Sequence, residues 1–89
     1  MPRVIIPPLL QGPTRGQGEV KVQGGTVREC LEAVEAEYKG FLDQVVREDR
    51  AAQRFVKLFV NGAQVGEADL DMKLELDDEI EILAAIAGG

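Results

Sequence analysis

The residues of this chain best placed to do chemistry lie at its carboxyl end, Ile80-Glu81-Ile82-Leu83-Ala84-Ala85-Ile86-Ala87-Gly88-Gly89. Elsewhere the usual reagents are missing. There is no histidine, no metal-ligand cluster, no phosphate-binding P-loop spacing and no nucleophile paired with a base. What remains is the α-carboxyl group of Gly89. Ala84, Ala85, Ala87, Gly88 and Gly89 carry almost no side chain. Two glycines without a Cβ would let that carboxylate travel on a thread into a channel too narrow for other residues. From Glu79 to Leu83 apolar and acidic residues alternate with period two, the pattern of a strand with one packed and one wet face. After Leu83 the alternation stops, so the chain divides into a domain, residues 1–83, and an expected mobile tail, residues 84–89. A frayed end of small residues is the competing reading. Position argues against it, because a strand feeds the tail directly and no charge interrupts the last six residues.

The elements that must position this tail belong to one small domain. Eighty-nine residues suffice for a single core but not for a separate catalytic domain. A composition of 45% apolar and 29% charged residues is that of a soluble globular protein. The net charge of −6 argues against nucleic acid, whose phosphates need a basic surface, and favours a basic or mixed protein partner. Val4 to Leu10 is apolar but short and broken by Pro7 and Pro8, so neither a signal peptide nor a membrane span is expected and the chain is assigned to the cytoplasm. The single cysteine, Cys30, fits a reducing compartment. Beside an apolar helical stripe and without a histidine, it reads as a small packed hydrophobe.

Arg3 to Ile6 and Glu19 to Gln23 read as strands. Val4, Ile6, Val20 and Val22 face inward, and the glycine-rich loop Gln11 to Gly18, with Arg15 at its tip, joins the runs as an antiparallel hairpin. Pro7 and Pro8 should end the pairing of the first strand. Thr26-Val27-Arg28-Glu29 has the spacing of a capping box, and Val27, Leu31, Val34 and Tyr38 form one apolar stripe, with Glu32, Glu35 and Glu37 toward solvent and Gly40 closing the helix. Phe41, Leu42, Val45 and Val46 suit a short helix or an irregular cover for the core, and Arg47 to Arg50 a solvated loop. In Phe55 to Val60, Val56, Leu58 and Val60 point one way and Phe55, Lys57 and Phe59 the other. Asn61-Gly62 is a hairpin turn with Ala63 to Val65 as its return strand, and Asp69 to Leu76 is a turn-containing connector. The fold class is therefore α+β, a mixed sheet of four to five strands with one main helix across one face. The uncovered face carries Phe59 and Leu83, an aromatic and an aliphatic side chain suited to a partner surface.

Through Ala87-Gly88-Gly89 following Asp77-Asp78-Glu79-Ile80, the whole chain resembles the ubiquitin-like β-grasp sulfur carriers, which include the thiamine sulfur carrier and the molybdopterin synthase small subunit. Ile6-Pro7 with Leu9-Leu10, Leu31-Glu32 with Tyr38-Lys39-Gly40, Arg54-Phe55-Val56, Phe59-Val60-Asn61 and Ile82-Leu83 are most similar to the carriers serving cysteine biosynthesis. Ala84-Ala85 departs from relatives that have proline in the tail. The resemblance implies a co-substrate, not a catalyst, with no bound cofactor or metal. A separate ubiquitin-activating-like adenylyltransferase and sulfurtransferase would use ATP and magnesium to adenylate Gly89. Sulfide or an enzyme persulfide would displace AMP, leaving a thiocarboxylate as sulfur donor. In the cysteine branch the acceptor would be an aminoacrylate on pyridoxal phosphate in a cysteine synthase. The same resemblance allows three other uses: pairing with the large subunit of molybdopterin synthase, service to another cofactor pathway, or conjugation through Gly89 to protein lysines. An interaction module using only its open sheet face is the reading independent of the terminus. A β-grasp ferredoxin is excluded because one cysteine cannot hold its cluster.

Overall fold

A computed structural model describes residues 1–46 and 54–86. Five strands, β1 (Arg3–Ile5), β2 (Glu19–Lys21), β3 (Arg54–Val60), β4 (Ala63–Val65) and β5 (Glu79–Ile86), form one sheet in the order β2-β1-β5-β3-β4. β1 runs antiparallel to β2 and parallel to β5, and β3 runs antiparallel to both β5 and β4. Two helices, α1 (Val27–Glu37) and α2 (Phe41–Val46), lie between β2 and β3 in sequence, and their crossover makes the parallel β1–β5 pairing possible. This is the ubiquitin-like β-grasp arrangement.

The two hairpin pairings, β1 with β2 and β3 with β4, follow from local signals. Val4 opposite Val20 sets the first hairpin's register, which puts both residues in the core with Ile6 and Val22. β1 stops at Ile5, before the prolines, and Pro8–Leu10 forms a 3-10 turn that turns Leu10 into the core. Asn61 and Gly62 have φ of 51° and 88°, the two left-handed residues of a type I′ turn. Val60 therefore lies directly opposite Ala63.

Thr26 caps α1: its Oγ1 accepts from Glu29 N–H at 3.1 Å. The Glu29 carboxylate returns to Gly25 N–H at 2.7 Å, one residue before the amide that a standard capping box would use. Val27, Cys30, Leu31 and Val34 are buried against Val4, Val60, Ile80 and Ile82 of the sheet. Burying a side chain of this kind contributes about 1.5 to 3 kcal/mol. Gly24 permits the close approach, since a Cβ there would stand 2.9 Å from both the backbone nitrogen and Sγ of Cys30.

Three details differ from the expectations. α1 ends with Tyr38 as its C-cap, two residues before Gly40, whose φ of 97° makes the bend into α2. Glu35 is half-buried instead of solvated, because its carboxylate accepts from Gly40 N–H at 3.1 Å and from Leu42 N–H at 2.8 Å, satisfying amides at the start of α2. The strand expected to stop at Leu83 runs on to Ile86, with Ala84, Ala85 and Ile86 opposite Val56, Phe55 and Arg54. The domain boundary placed after Leu83 thus falls inside β5. A ladder is made by backbone groups, and β3 supplies partners whether or not side chains alternate. Arg47 to Arg50 lies outside the described residues, as do the facings expected for the side chains of Phe55 and Val56. Among the described residues no helix is long and apolar enough to cross a membrane.

Candidate functional site

β5 is the central strand, bonded on one side to β1 and on the other to β3, so its far end is held by the sheet up to Ile86. Ala87, Gly88 and Gly89, the residues expected to carry the chemistry, lie outside the described residues. The site that can be built from side chains is the sheet face opposite α1.

Registers place its members. Phe59 lies opposite Glu81, and Lys57 opposite Leu83, so Phe59 and Leu83 are diagonal neighbours on adjacent strands, a separation of about 7 to 8 Å between positions. Leu83 is 44% exposed and Phe59 half-buried. The two residues singled out in the sequence are thus brought together. Ile5, half-buried, joins them through the parallel pairing of β1 with β5, which sets it beside Glu81. The sequence alone did not connect Ile5 to Phe59, because that neighbourhood depends on the parallel register.

The end of the face nearest the start of β5 is held by a polar clip. Asn61 Nδ2 donates to Asp78 Oδ1 at 2.8 Å, Glu79 N–H donates to Asn61 Oδ1 at 2.9 Å, and Glu75 N–H donates to Asp78 Oδ2 at 2.8 Å. The Glu75 amide first, then the Asn61 amide, hold the Asp78 carboxyl below its usual range. The connector before it is tied to α1 by Arg28 N–H to the Leu70 carbonyl and Arg28 Nε to Asp71 Oδ1 at 2.9 Å, and to the residue before the helix cap by Leu74 N–H to the Gly25 carbonyl. These bonds fix where β5 begins and hence where it delivers its end. Cys30 is fully buried on the other side of the sheet, and burial pushes its thiol pKa up, so it stays a protonated core residue.

Residues 11–89 match the ThiS family. No curated protein matches the chain in sequence. Among solved structures, a chain of the Amycolatopsis orientalis BexX/CysO complex is 31% identical with a TM-score of 0.83, each chain covered over 100% of its length. Mycobacterium tuberculosis CysO, described as an antigen, is 28% identical with a TM-score of 0.81, over 97% of this chain and 100% of that one. The solution structure of small archaeal modifier protein 1 from Methanosarcina acetivorans shares the fold, with 21% identity and a TM-score of 0.76, over 99% of this chain and 95% of that one.

Proposed function

Because the chain belongs to the ThiS family of small ubiquitin-like sulfur carriers, we propose that it carries sulfur on the α-carboxyl group of Gly89 and delivers it in the cytoplasm for cysteine biosynthesis. The observation that carries this reading is that the family match runs to Gly89 and that β5, the central strand, carries the described backbone as far as Ile86. Likeness to two CysO structures over nearly the whole chain supports the cysteine branch.

A carboxylate resists nucleophiles, so a separate enzyme must first join the Gly89 carboxylate to the α-phosphate of ATP, releasing pyrophosphate. Sulfide, or the terminal sulfur of an enzyme persulfide, then attacks the acyl carbon and expels AMP. With a persulfide donor, a second thiol then attacks the donor's sulfur in the acyl disulfide, releasing the thiocarboxylate and leaving a disulfide between the two thiols. The product is a thiocarboxylate whose sulfur is a nucleophile. ATP, magnesium and pyridoxal phosphate belong to the partner enzymes in this scheme, an adenylyltransferase with sulfurtransferase activity and a cysteine synthase. This chain's own part is to present Ala87, Gly88 and Gly89 and to dock through the face bearing Phe59 and Leu83.

The test is ATP-dependent conversion of Gly89 by the host's ubiquitin-activating-like adenylyltransferase, followed by intact mass. Exchange of one oxygen for sulfur is expected in the wild type. Deleting Gly89 shortens the reach by about 3.3 to 3.6 Å, as much as the whole distance within which reacting atoms must approach, and should abolish adenylation. Gly88→Val should impair it by filling the channel, with both variants melting like the wild type. Full activity of the deletion would overturn the reading. Isopeptide conjugates on host lysines in place of sulfur transfer would redirect it to a protein modifier.

A further inference from the structure

The open face carries its charges unevenly. At one end Arg3 stands between Lys21 on β2 and Glu79 on β5, and its guanidinium reaches the Glu19 carboxylate at 3.7 Å. The next row across the sheet reads Glu19, Ile5, Glu81, Phe59, Gln64. Glu81 is exposed in the middle of that row, with Ile5 on one side, Phe59 on the other and Leu83 two residues along the same strand. No cation lies directly beside it. Among the described residues its carboxylate makes no ion pair, and the nearest cations by register, Arg3 on β1 and Lys57 on β3, each sit two pairs along, opposite Glu79 and Leu83.

A partner that covers Ile5, Phe59 and Leu83 must therefore take the water from Glu81 as well. Flanking positions in neighbouring strands are about 4.5 to 5.5 Å apart, too close for an apolar surface to seat on both sides and leave the carboxylate wet. A carboxylate dehydrated without a cation opposes binding, whereas one met by a guanidinium or ammonium favours it. On this ground, and resting on the carrier reading above, we infer that Glu81 is a specificity-determining residue of the docking face. The activating enzyme meets it with an arginine or lysine framed by apolar side chains. The net charge of −6 suits such a partner, and arginine is the cation most used at interface centres.

The experiment measures kcat and KM for the carrier in pyrophosphate exchange with the host's adenylyltransferase, across a range of salt. Glu81→Gln keeps the shape and removes the charge. It should raise KM at least about tenfold with kcat unchanged, and flatten the decline of kcat/KM with ionic strength. Glu81→Arg should raise KM further. An exposed strand residue should leave the melting temperature unmoved, which separates docking from folding. An unchanged KM and salt slope in Glu81→Gln, beside a raised KM in Phe59→Asp, would overturn this inference and leave the carrier reading intact. A lowered KM in Glu81→Gln would overturn it too, showing that the partner meets this position with an apolar or acidic surface. Loss of adenylation only on deleting Gly89, with Glu81 and Phe59 variants both normal, would remove the whole face from the site.

Discussion

Replacing Phe41 by alanine tests the part of the core that the sequence left open. The Phe41 side chain is fully buried where α2 meets α1 and the 3-10 turn Pro8–Leu10, and it is among the largest of the fully buried side chains described. Truncating a buried phenylalanine costs about 3 to 5 kcal/mol, the lost transfer energy plus the cavity left behind. At about 0.05 to 0.15 kcal/mol per residue, a domain of 89 residues has about 4 to 13 kcal/mol in all. The substitution should therefore take roughly a quarter or more of the stability and lower the melting temperature by on the order of 20 °C. Phe41→Leu, which retains most of the volume, should cost less than about 1.5 kcal/mol. Urea unfolding followed by circular dichroism gives both numbers, provided that the slope with denaturant is unchanged. Phe41 lies on the helix side of the sheet, so sulfur loading at a temperature where the variant is folded should match the wild type. A loss below about 1 kcal/mol in Phe41→Ala would refute the placement of α2 on the core.

Three further outcomes follow from other contacts. Thr26→Ala, which leaves Glu29 N–H without its acceptor, should cost about 1 kcal/mol in thermal unfolding and leave sulfur transfer alone; impaired transfer at unchanged stability would mean that Thr26 touches a partner. Phe59→Asp should raise KM for the activating enzyme with little effect on unfolding, because the residue is half-buried on the face away from α1; a variant that does not fold would contradict that facing. Acid titration should show the clips at both ends of the connector. Asp78 is held low by Glu75 N–H and Asn61, and Asp71 by hydrogen bonding and charge from Arg28. Folded pKa values depressed in this way give stability that is full above the unfolded carboxyl value of about 3.9 and is lost as pH falls through the lower folded value. Asp78→Asn should therefore flatten the acid limb of the stability profile below about pH 4. An acid limb identical to that of the wild type would refute the Asp78 contribution.

Much of the fold was legible because its signals are local. Alternation set the inward faces of β1, β2 and β5, Asn61-Gly62 set a tight hairpin, and Thr26 with Glu29 marked the helix start, since each depends on residues within four positions of one another. The Gly88-Gly89 pair and the residues Phe59 and Leu83 were likewise visible as types in a pattern. Long-range packing decided the rest. The parallel β1–β5 register, which joins residues more than seventy apart, is what sets Ile5 beside Glu81 and completes the face. The end of β5 could not be read from side chains, because alternation vanishes at Ala84 while the backbone ladder, offered partners by β3, continues to Ile86. Glu35 looked like a solvated helix residue and became a cap because the chain turns at Gly40 and brings two unpaired amides to it. Phe41, with Leu42, Val45 and Val46, was legible as a short helix or an irregular cover for the core, and the packing of α2 against α1 and the 3-10 turn decided for the helix, with Phe41 buried in it.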